Sequence, residues 1–246
     1  MHKITAALAF FTAAFLASCT STNSKTASSS GKNTREYWGD KPGPQGFRTV
    51  VIDAGHGGKD SGAPCRYNGA VEKNLALNVA RDLRSELAGR LKVVMMRDSD
   101  TFVELDERAA RASKYSDGIL VSIHWNSSAF FMHGPETYYW RVDSHGLATR
   151  VEQNLNAATG SSNSRGLVRR RLRLTRNPEV PSILVECGYL SNKEEAARAI
   201  DASYQHRIAK AIASAIIAQA AQGDAGTGEL PKSIHAPPSK NSDRRE

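Results

Sequence analysis

Short apolar runs alternate with amphipathic segments through most of the chain. Glycine, proline or charged residues bound the runs, and this pattern is typical of strands buried in a sheet. The runs predict strands at about residues 48–53, 92–97, 118–124, 136–141 and 182–187. The segments between them repeat apolar residues every three or four positions, which predicts helices from about residue 71 and over about 103–114, 145–158 and 202–221. Strands that alternate with helices indicate a single α/β domain with a largely parallel sheet.

Local signals mark where two helices begin. Apolar residues recur every four positions from Leu75 to Leu87, so one face of the first helix is apolar. Glu72 lies in its first turn, where a carboxylate interacts favourably with the helix dipole. Glu194 follows Ser191 by three residues, and this pair fits a capping box that predicts another helix start.

The first residues of the chain predict an export signal over 1–18. Lys3 precedes an apolar run from Ile4 to Leu16 that is too short to cross a bilayer. The sequence LASC that ends at Cys19 resembles the bacterial lipobox, in which the signal is cut before a cysteine that is then lipidated. The resemblance implies acyl chains on Cys19 that anchor the protein to a membrane of the cell envelope. In a Gram-negative cell the expected place is the outer membrane, facing the periplasm. The alternative is an ordinary secretory signal with a cysteine there by chance.

Polar segments flank the predicted domain. Residues 19–46 are rich in Ser, Thr, Asn, Lys and Gly and predict a flexible tether. The folded domain is expected over residues 47–222. Residues 223–246 hold Gly, Pro, Ser and mixed charge and predict a disordered tail.

The net charge of +8 favours polyanionic surroundings, but the charges are scattered along the chain. The exception is a run of arginines within residues 165–176, which the pattern leaves ambiguous between a loop and a strand. No aromatic residues are interleaved there, so a base-stacking surface is not indicated and no nucleic-acid partner is expected.

Residues that could bind a metal or transfer protons lie where predicted strands end. His56 follows the first strand among glycines, and His124 and Glu186 lie at the ends of two later strands. By itself the stretch around His56 also fits a glycine-rich phosphate loop or a plain turn. The carboxyl ends of parallel strands share one edge of a sheet, so these side chains can converge, and Glu72 can reach them from the start of its helix.

Two histidines and a carboxylate with one open position make a catalytic zinc site. Zinc lowers the pKa of bound water, and a carboxylate that is not a ligand can act as general base. On this reasoning Glu72 and Glu186 are interchangeable as the third ligand. One of Asp53 and Asp60 is expected to orient a ligating histidine.

Four blocks in order carry a resemblance to a known family. They are VIDAGHGG at residues 51–58, Glu72, SIHWN at 122–126 and LVECGYLSN at 184–192. Together they resemble the zinc-dependent N-acetylmuramoyl-L-alanine amidases of the cell-wall hydrolase type, and the likeness runs from about residue 48 to about residue 220.

The resemblance implies a mixed sheet of about six strands. It implies zinc bound by His56, Glu72 and His124, with Glu186 as the catalytic glutamate. The implied reaction is hydrolysis of the amide between N-acetylmuramic acid and L-alanine in peptidoglycan. Trp125 stands where a small residue is common, so Trp125, with Asn126 beside it, is expected to line the substrate groove.

Two other functions remain open at this point. One is a catalytically idle peptidoglycan-binding lipoprotein, against which the complete set of site residues argues. The other is a zinc peptidase or deacetylase that acts on another amide of the wall. The residues also leave open whether an activator protein is needed, although no long insertion that could plug the site is evident.

Three cysteines are too few for a disulfide framework. Cys65 and Cys187 could pair in an exported protein, and the residues alone do not decide this. Strand alternation points Cys187 away from Glu186 and into the core. For Cys65 a role in its loop is favoured over metal ligation.

Overall fold

A computed structural model of the protein describes residues 39–160 and 165–240. The signal peptide predicted over 1–18, the predicted lipid on Cys19 and the tether as far as residue 38 lie outside the described residues, as do residues 241–246 of the predicted tail. Among the helices of the described ranges, none is both long and apolar enough to cross a membrane.

Strands and helices follow one another largely as the pattern predicts. The strands are β1 Thr49–Ala54, β2 Lys92–Met95, β3 Gly118–Asn126, β4 Glu136–Tyr139, β5 Leu167–Arg169 and β6 Ser182–Tyr189. The helices are α1 Glu72–Leu87, α2 Leu105–Ala112, α3 His145–Thr159, α4 Arg173–Arg176, α5 Lys193–Ala199 and α6 Ala202–Gln222. A 3₁₀ turn, Val142–Ser144, leads into α3.

The six strands form one mixed sheet in the order β2-β1-β3-β6-β4-β5. β2, β1, β3 and β6 run parallel to their neighbours, β4 is antiparallel to β6, and β5 is parallel to β4. The predicted α/β fold with a mostly parallel, mixed sheet is confirmed. Because β1, β3 and β6 are parallel, their carboxyl ends lie at one edge of the sheet.

Helices cover both faces of the sheet. Val50 and Ile52 of β1 pack with α1, α3 and α6, whereas Val51 packs with α2 and α4 on the other face. All three side chains are fully buried. A sheet buried on both faces explains why its central strands read as continuous apolar runs.

The cap of α5 lies one residue later than the capping box predicts. Asn192, not Ser191, is the N-cap, and its side chain accepts hydrogen bonds from the amides of Glu194 and Glu195. The Ser191 hydroxyl instead accepts from the amide of Ser128 at 2.9 Å. A long-range partner therefore takes the oxygen that the local pattern assigned to the cap.

The arginine-rich segment and the predicted tail meet in the structure. Residues 165–176 form β5 and α4, and part of the segment over 223–240 lies against them. The donors are the guanidinium groups of Arg169, Arg171, Arg173 and Arg176, and the acceptors are main-chain carbonyls of Lys232, Ala236, Pro237 and Ser239. The composition of this segment predicts disorder because it shows no apolar core, but it does not show these carbonyl contacts.

Candidate metal centre and active site

His56 leaves β1 in a strained backbone conformation. Its φ is 59°, which makes it the one non-glycine residue with positive φ in residues 39–160 and 165–240. Such strain is held only where the surroundings determine it. The ring is fixed by Asp60, whose Oδ2 lies 2.9 Å from His56 Nδ1. This contact leaves Nε2 of His56 directed at Glu72, with 3.0 Å between Nε2 and Oε1.

Glu72 begins α1 and joins the two histidines. Its Oε1 lies 2.9 Å from His124 Nδ1 in addition to its contact with His56. The same oxygen accepts from the amide of Trp125 at 3.1 Å, and Oε2 accepts from the amide of Ala63 at 2.8 Å. Glu72 is 4% exposed, so these contacts replace nearly all of the water around its carboxylate.

The three predicted ligands meet at one point. Their ligand atoms, one each from His56, Glu72 and His124, lie within 4.8 Å of one another. Two imidazoles and a carboxylate are a ligand set for catalytic zinc, which leaves one position for water or substrate. These residues therefore fit the metal that the sequence predicts.

Glycines leave the ligands the room they need. A Cβ on Gly55 would lie 2.4 Å from the His124 ring, and one on Gly62 would lie 2.5 Å from Glu72 Oε2. Either side chain would displace a ligand. Gly55 and Gly62 thus leave space for the imidazoles and the carboxylate of the cluster.

The charges of the cluster support one another. Burial alone would lower the pKa of His56, but hydrogen bonds to Glu72 and Asp60 and their negative charges raise it to about 8. Burial alone would raise the pKa of Glu72, but the two histidines hold it far below its usual range. The site therefore stabilises positive charge beside Glu72. A divalent cation supplies that charge when it binds and displaces protons from the histidines.

A cavity of about 380 Å³ opens beside the cluster. It is lined by His56, Ala63, Glu72, His124, Trp125, Asn126, Ser127, Ser128, Tyr138, Arg165, Arg170, Leu172 and Glu186. Glu186 of β6 pairs in register with His124 of β3, which places it at this cavity. The structure thus brings the candidate catalytic glutamate to the cavity that the three candidate metal ligands also line.

Trp125 and Asn126 differ in what they present to the cavity. Trp125 borders it, but its side chain is 1% exposed and packs in the core near Tyr204, with ring centres 6.5 Å apart. Its contribution to the site is the amide that binds Glu72. Asn126 is partly exposed and lines the cavity beside Glu136, with 3.4 Å between Nδ2 and Oε2.

Two buried arginines hold the loop that carries His56. Arg108 donates to the Asp53 carboxylate and to the carbonyl oxygen of His56, the latter at 2.6 Å. Arg97 donates to the carbonyl oxygen of Gly55 at 2.7 Å. Asp53 therefore holds Arg108, and the expected orienting of a histidine falls to Asp60. The local sequence predicts this role for neither arginine, since nothing adjacent shows which carbonyl oxygens they reach.

Both described cysteines are buried, free thiols. Cys187 is fully buried in the core, as strand alternation predicts, and burial raises the pKa of its thiol well above the usual value. The Cys65 thiol lies 3.7 Å from the carbonyl oxygen of Leu190 and is not among the clustered ligands. Neither cysteine is paired with the other in this structure.

Comparison with known proteins assigns the site to a family. The sequence profile described as N-acetylmuramoyl-L-alanine amidase matches residues 50–218, more than half of the chain. The chain belongs to the N-acetylmuramoyl-L-alanine amidase family. The match spans all four predicted site residues, and the predicted membership of the N-acetylmuramoyl-L-alanine amidases and the predicted enzyme class are confirmed.

Relatives and solved structures agree with this assignment. LytC, an N-acetylmuramoyl-L-alanine amidase of Bacillus subtilis (strain 168), is 33% identical over 170 residues, which cover 67% of this chain and 34% of LytC. The chain thus spans about a third of that relative. The catalytic domain of CwlV from Bacillus (Paenibacillus) polymyxa var. colistinus is 40% identical with a TM-score of 0.66, covering 69% of this chain and 96% of CwlV.

A further solved relative is in complex with a second protein. The CwlD amidase from Clostridioides difficile, solved in complex with the GerS lipoprotein, is 29% identical to this chain with a TM-score of 0.65. The match covers 69% of this chain and 96% of CwlD. The fold of the amidase domain is therefore shared with solved members of the family.

Proposed function

We propose that this amidase uses zinc, held by His56, Glu72 and His124, to hydrolyse the amide between N-acetylmuramic acid and L-alanine in peptidoglycan. The observation that carries the proposal is the convergence of these three ligands within 4.8 Å at a cavity that Glu186 also lines. A bound zinc ion supplies Lewis-acid polarisation of the scissile carbonyl and brings the pKa of water to about 7.

Residues of the chain orient the metal ligands and transfer the protons. Asp60 accepts from Nδ1 of His56 and so keeps Nε2 available as a ligand. Glu186 takes a proton from the attacking water and delivers it to the nitrogen of the leaving L-alanine, so that the amide C–N bond breaks to a carboxylic acid and an amine. Its place across from His124 in register supports this role.

The test is digestion of purified peptidoglycan followed by mass analysis of the products. We expect stem peptides with a free L-alanine amine, loss of the reaction with a chelator, and recovery with Zn²⁺. Glycan-linked peptides that are merely shortened would instead identify a peptidase. Binding to the wall without any cleavage would identify a catalytically idle protein.

We further propose that a lipid on Cys19 anchors the domain in the cell envelope, with the segment that follows as a tether. The lipobox-like sequence supports this proposal. An activator is the second partner to test, since CwlD was solved with a lipoprotein bound. Cleavage of peptidoglycan by the purified protein alone would show that this chain needs no activator.

A further inference from the structure

Strand alternation divides Arg169, Arg170 and Arg171 between the two faces of β5 and the residues that continue it. In the register of β4 and β5, Val168 lies beside Tyr138, and the amide of Arg170 extends the pairing by donating to Tyr139 at 2.8 Å. Val168 and Leu172 pack with Tyr138 on the face that borders the cavity. Arg170, between them by alternation, belongs to this face and lines the cavity.

The arginines on either side of Arg170 are bound elsewhere. Arg169 donates to the carbonyl oxygens of Trp140 and Lys232, at 2.9 and 2.5 Å. Arg171 donates to the carbonyl oxygen of Pro237 at 2.9 Å. Both guanidinium groups therefore help to hold the chain on the face away from the cavity.

Arg165 also lines the cavity, but its charge faces a carboxylate of the protein. Its Nε lies 3.4 Å from Oε1 of Glu136, and its Nη2 donates to the Tyr138 hydroxyl at 3.2 Å. Glu136 is fully buried and also accepts from the hydroxyl of Tyr189 at 2.5 Å. This part of the cavity wall is therefore balanced in charge without a ligand.

Arg170 differs from these neighbours. Its guanidinium lies 5.7 Å from the centre of the Tyr138 ring, a cation–π distance that positions the group and leaves its N–H donors available. Within residues 39–160 and 165–240, no carboxylate forms an ion pair with Arg170, and its side chain donates no hydrogen bond. A partly buried cation on a cavity wall is stabilised by an anion that enters the cavity.

We propose that Arg170 binds a carboxylate of the peptidoglycan stem peptide. The inference rests on the proposed function, in which the scissile amide lies at the His56, Glu72 and His124 cluster. The stem peptide beyond that amide is acidic, with carboxylates on its glutamate and on later residues. A guanidinium matches the planar geometry of a carboxylate, and Arg170 shares one cavity with the cluster and Glu186. Arg170 thereby selects acidic stem peptides.

The test compares soluble muramoyl peptides whose stem carboxylates are free with peptides in which each carboxylate is amidated in turn. We expect the wild-type protein to cleave the fully acidic peptide with a KM about tenfold lower than that of one amidated peptide. Arg170→Ala should raise KM for the acidic peptide about tenfold, leave kcat within twofold, and abolish the preference. The amidated position that loses its effect in R170A identifies the carboxylate.

The matched control is Arg171→Ala, which removes the same charge from the opposite face of the segment that follows β5. We expect R171A to retain the wild-type preference among the peptides. If R170A does not fold, Arg170→Gln keeps the length and a polar end and makes the same comparison.

Two results with R170A would overturn the inference while the amidase function stands. One is an equal loss on acidic and amidated peptides, and the other is an unchanged preference in R170A. A wild-type protein that cleaves none of the peptides but cleaves intact peptidoglycan at the same bond would also overturn it. Failure to cleave this bond in any substrate would refute the proposed function itself.

Discussion

Replacing Asp60 with alanine removes the group that orients His56, and we expect zinc affinity to fall about tenfold. In the structure Oδ2 of Asp60 lies 2.9 Å from Nδ1 of His56, while Nε2 faces Glu72. Without the carboxylate the imidazole can rotate and exchange tautomers, and the free protein then spends less time in the ligating arrangement. Oδ1 of Asp60 also accepts from the amide of Gly62 at 3.1 Å, so its loss loosens the loop beside Glu72.

The magnitude follows from the exposure of the contact. Loss of a carboxylate behind a metal-ligating histidine typically costs about 10–100-fold in affinity. The Asp60 side chain is 46% exposed, so water can take over part of its role. We therefore expect the lower end of the range, about tenfold, which corresponds to about 1.4 kcal/mol.

Competition with a chromophoric chelator measures the affinity directly. The control is Asp100→Ala, which removes another carboxylate that holds this loop, through the amide of Gly58 at 2.8 Å, but that contacts no ligand. We expect D100A to bind zinc within twofold of wild type and Asp60→Asn to lie between wild type and D60A. Wild-type affinity in D60A, or an equal loss in D100A, would refute the reasoning.

Three further predictions concern other parts of the chain. Glu186→Ala should keep zinc and lower kcat about 10²–10⁴-fold, whereas His56→Ala should lose zinc. Metal analysis and peptidoglycan digestion distinguish the two variants. A Glu186→Ala protein without metal would reverse the assigned roles. Cys19→Ala should move the protein from the membrane fraction to the soluble fraction, and a variant that still sediments with membranes would contradict the lipid anchor. Burial raises the pKa of Glu152 despite its hydrogen bonds to Thr137 and Asn156. Its folded-state pKa then exceeds the usual value, so stability falls as pH rises above about 4.5 through the raised pKa of Glu152. Glu152→Gln should remove this slope when thermal unfolding is measured across that rise in pH. An identical slope in both proteins would show that Glu152 contributes nothing to it.

Much of the fold and the site follows from local pattern and from the geometry of parallel strands. The apolar runs predict five of the six strands, and the central strands are the clearest because strands buried on both faces are almost continuously apolar. His56, His124 and Glu186 were predicted to converge because parallel strands end at one edge of their sheet, and the register of β3 with β6 places His124 beside Glu186. These inferences need only the direction of neighbouring strands.

The tertiary structure decided what depends on partners far away in the chain. The sequence leaves β5 ambiguous because a run of arginines shows no alternation of apolar and polar residues. The arginines are held there by main-chain carbonyls more than 60 residues away in the chain. For the same reason, the local sequence does not predict that main-chain carbonyls within residues 232–239 accept hydrogen bonds from these arginines. Only the hydrogen bonds of the folded protein show that Asp60 orients His56 and that Asp53 pairs with Arg108.

The sequence by itself predicted five of the six strands, most of the helices, the four groups of the candidate site and the family, since each depends on short blocks of adjacent residues. Only the tertiary structure separated Arg170 from Arg169 and Arg171, because identical side chains in succession differ solely in what lies opposite them. One faces the cavity and its neighbours face main-chain carbonyls. Electrostatic and hydrogen-bond partners are set by the folded neighbourhood, which residue type does not encode.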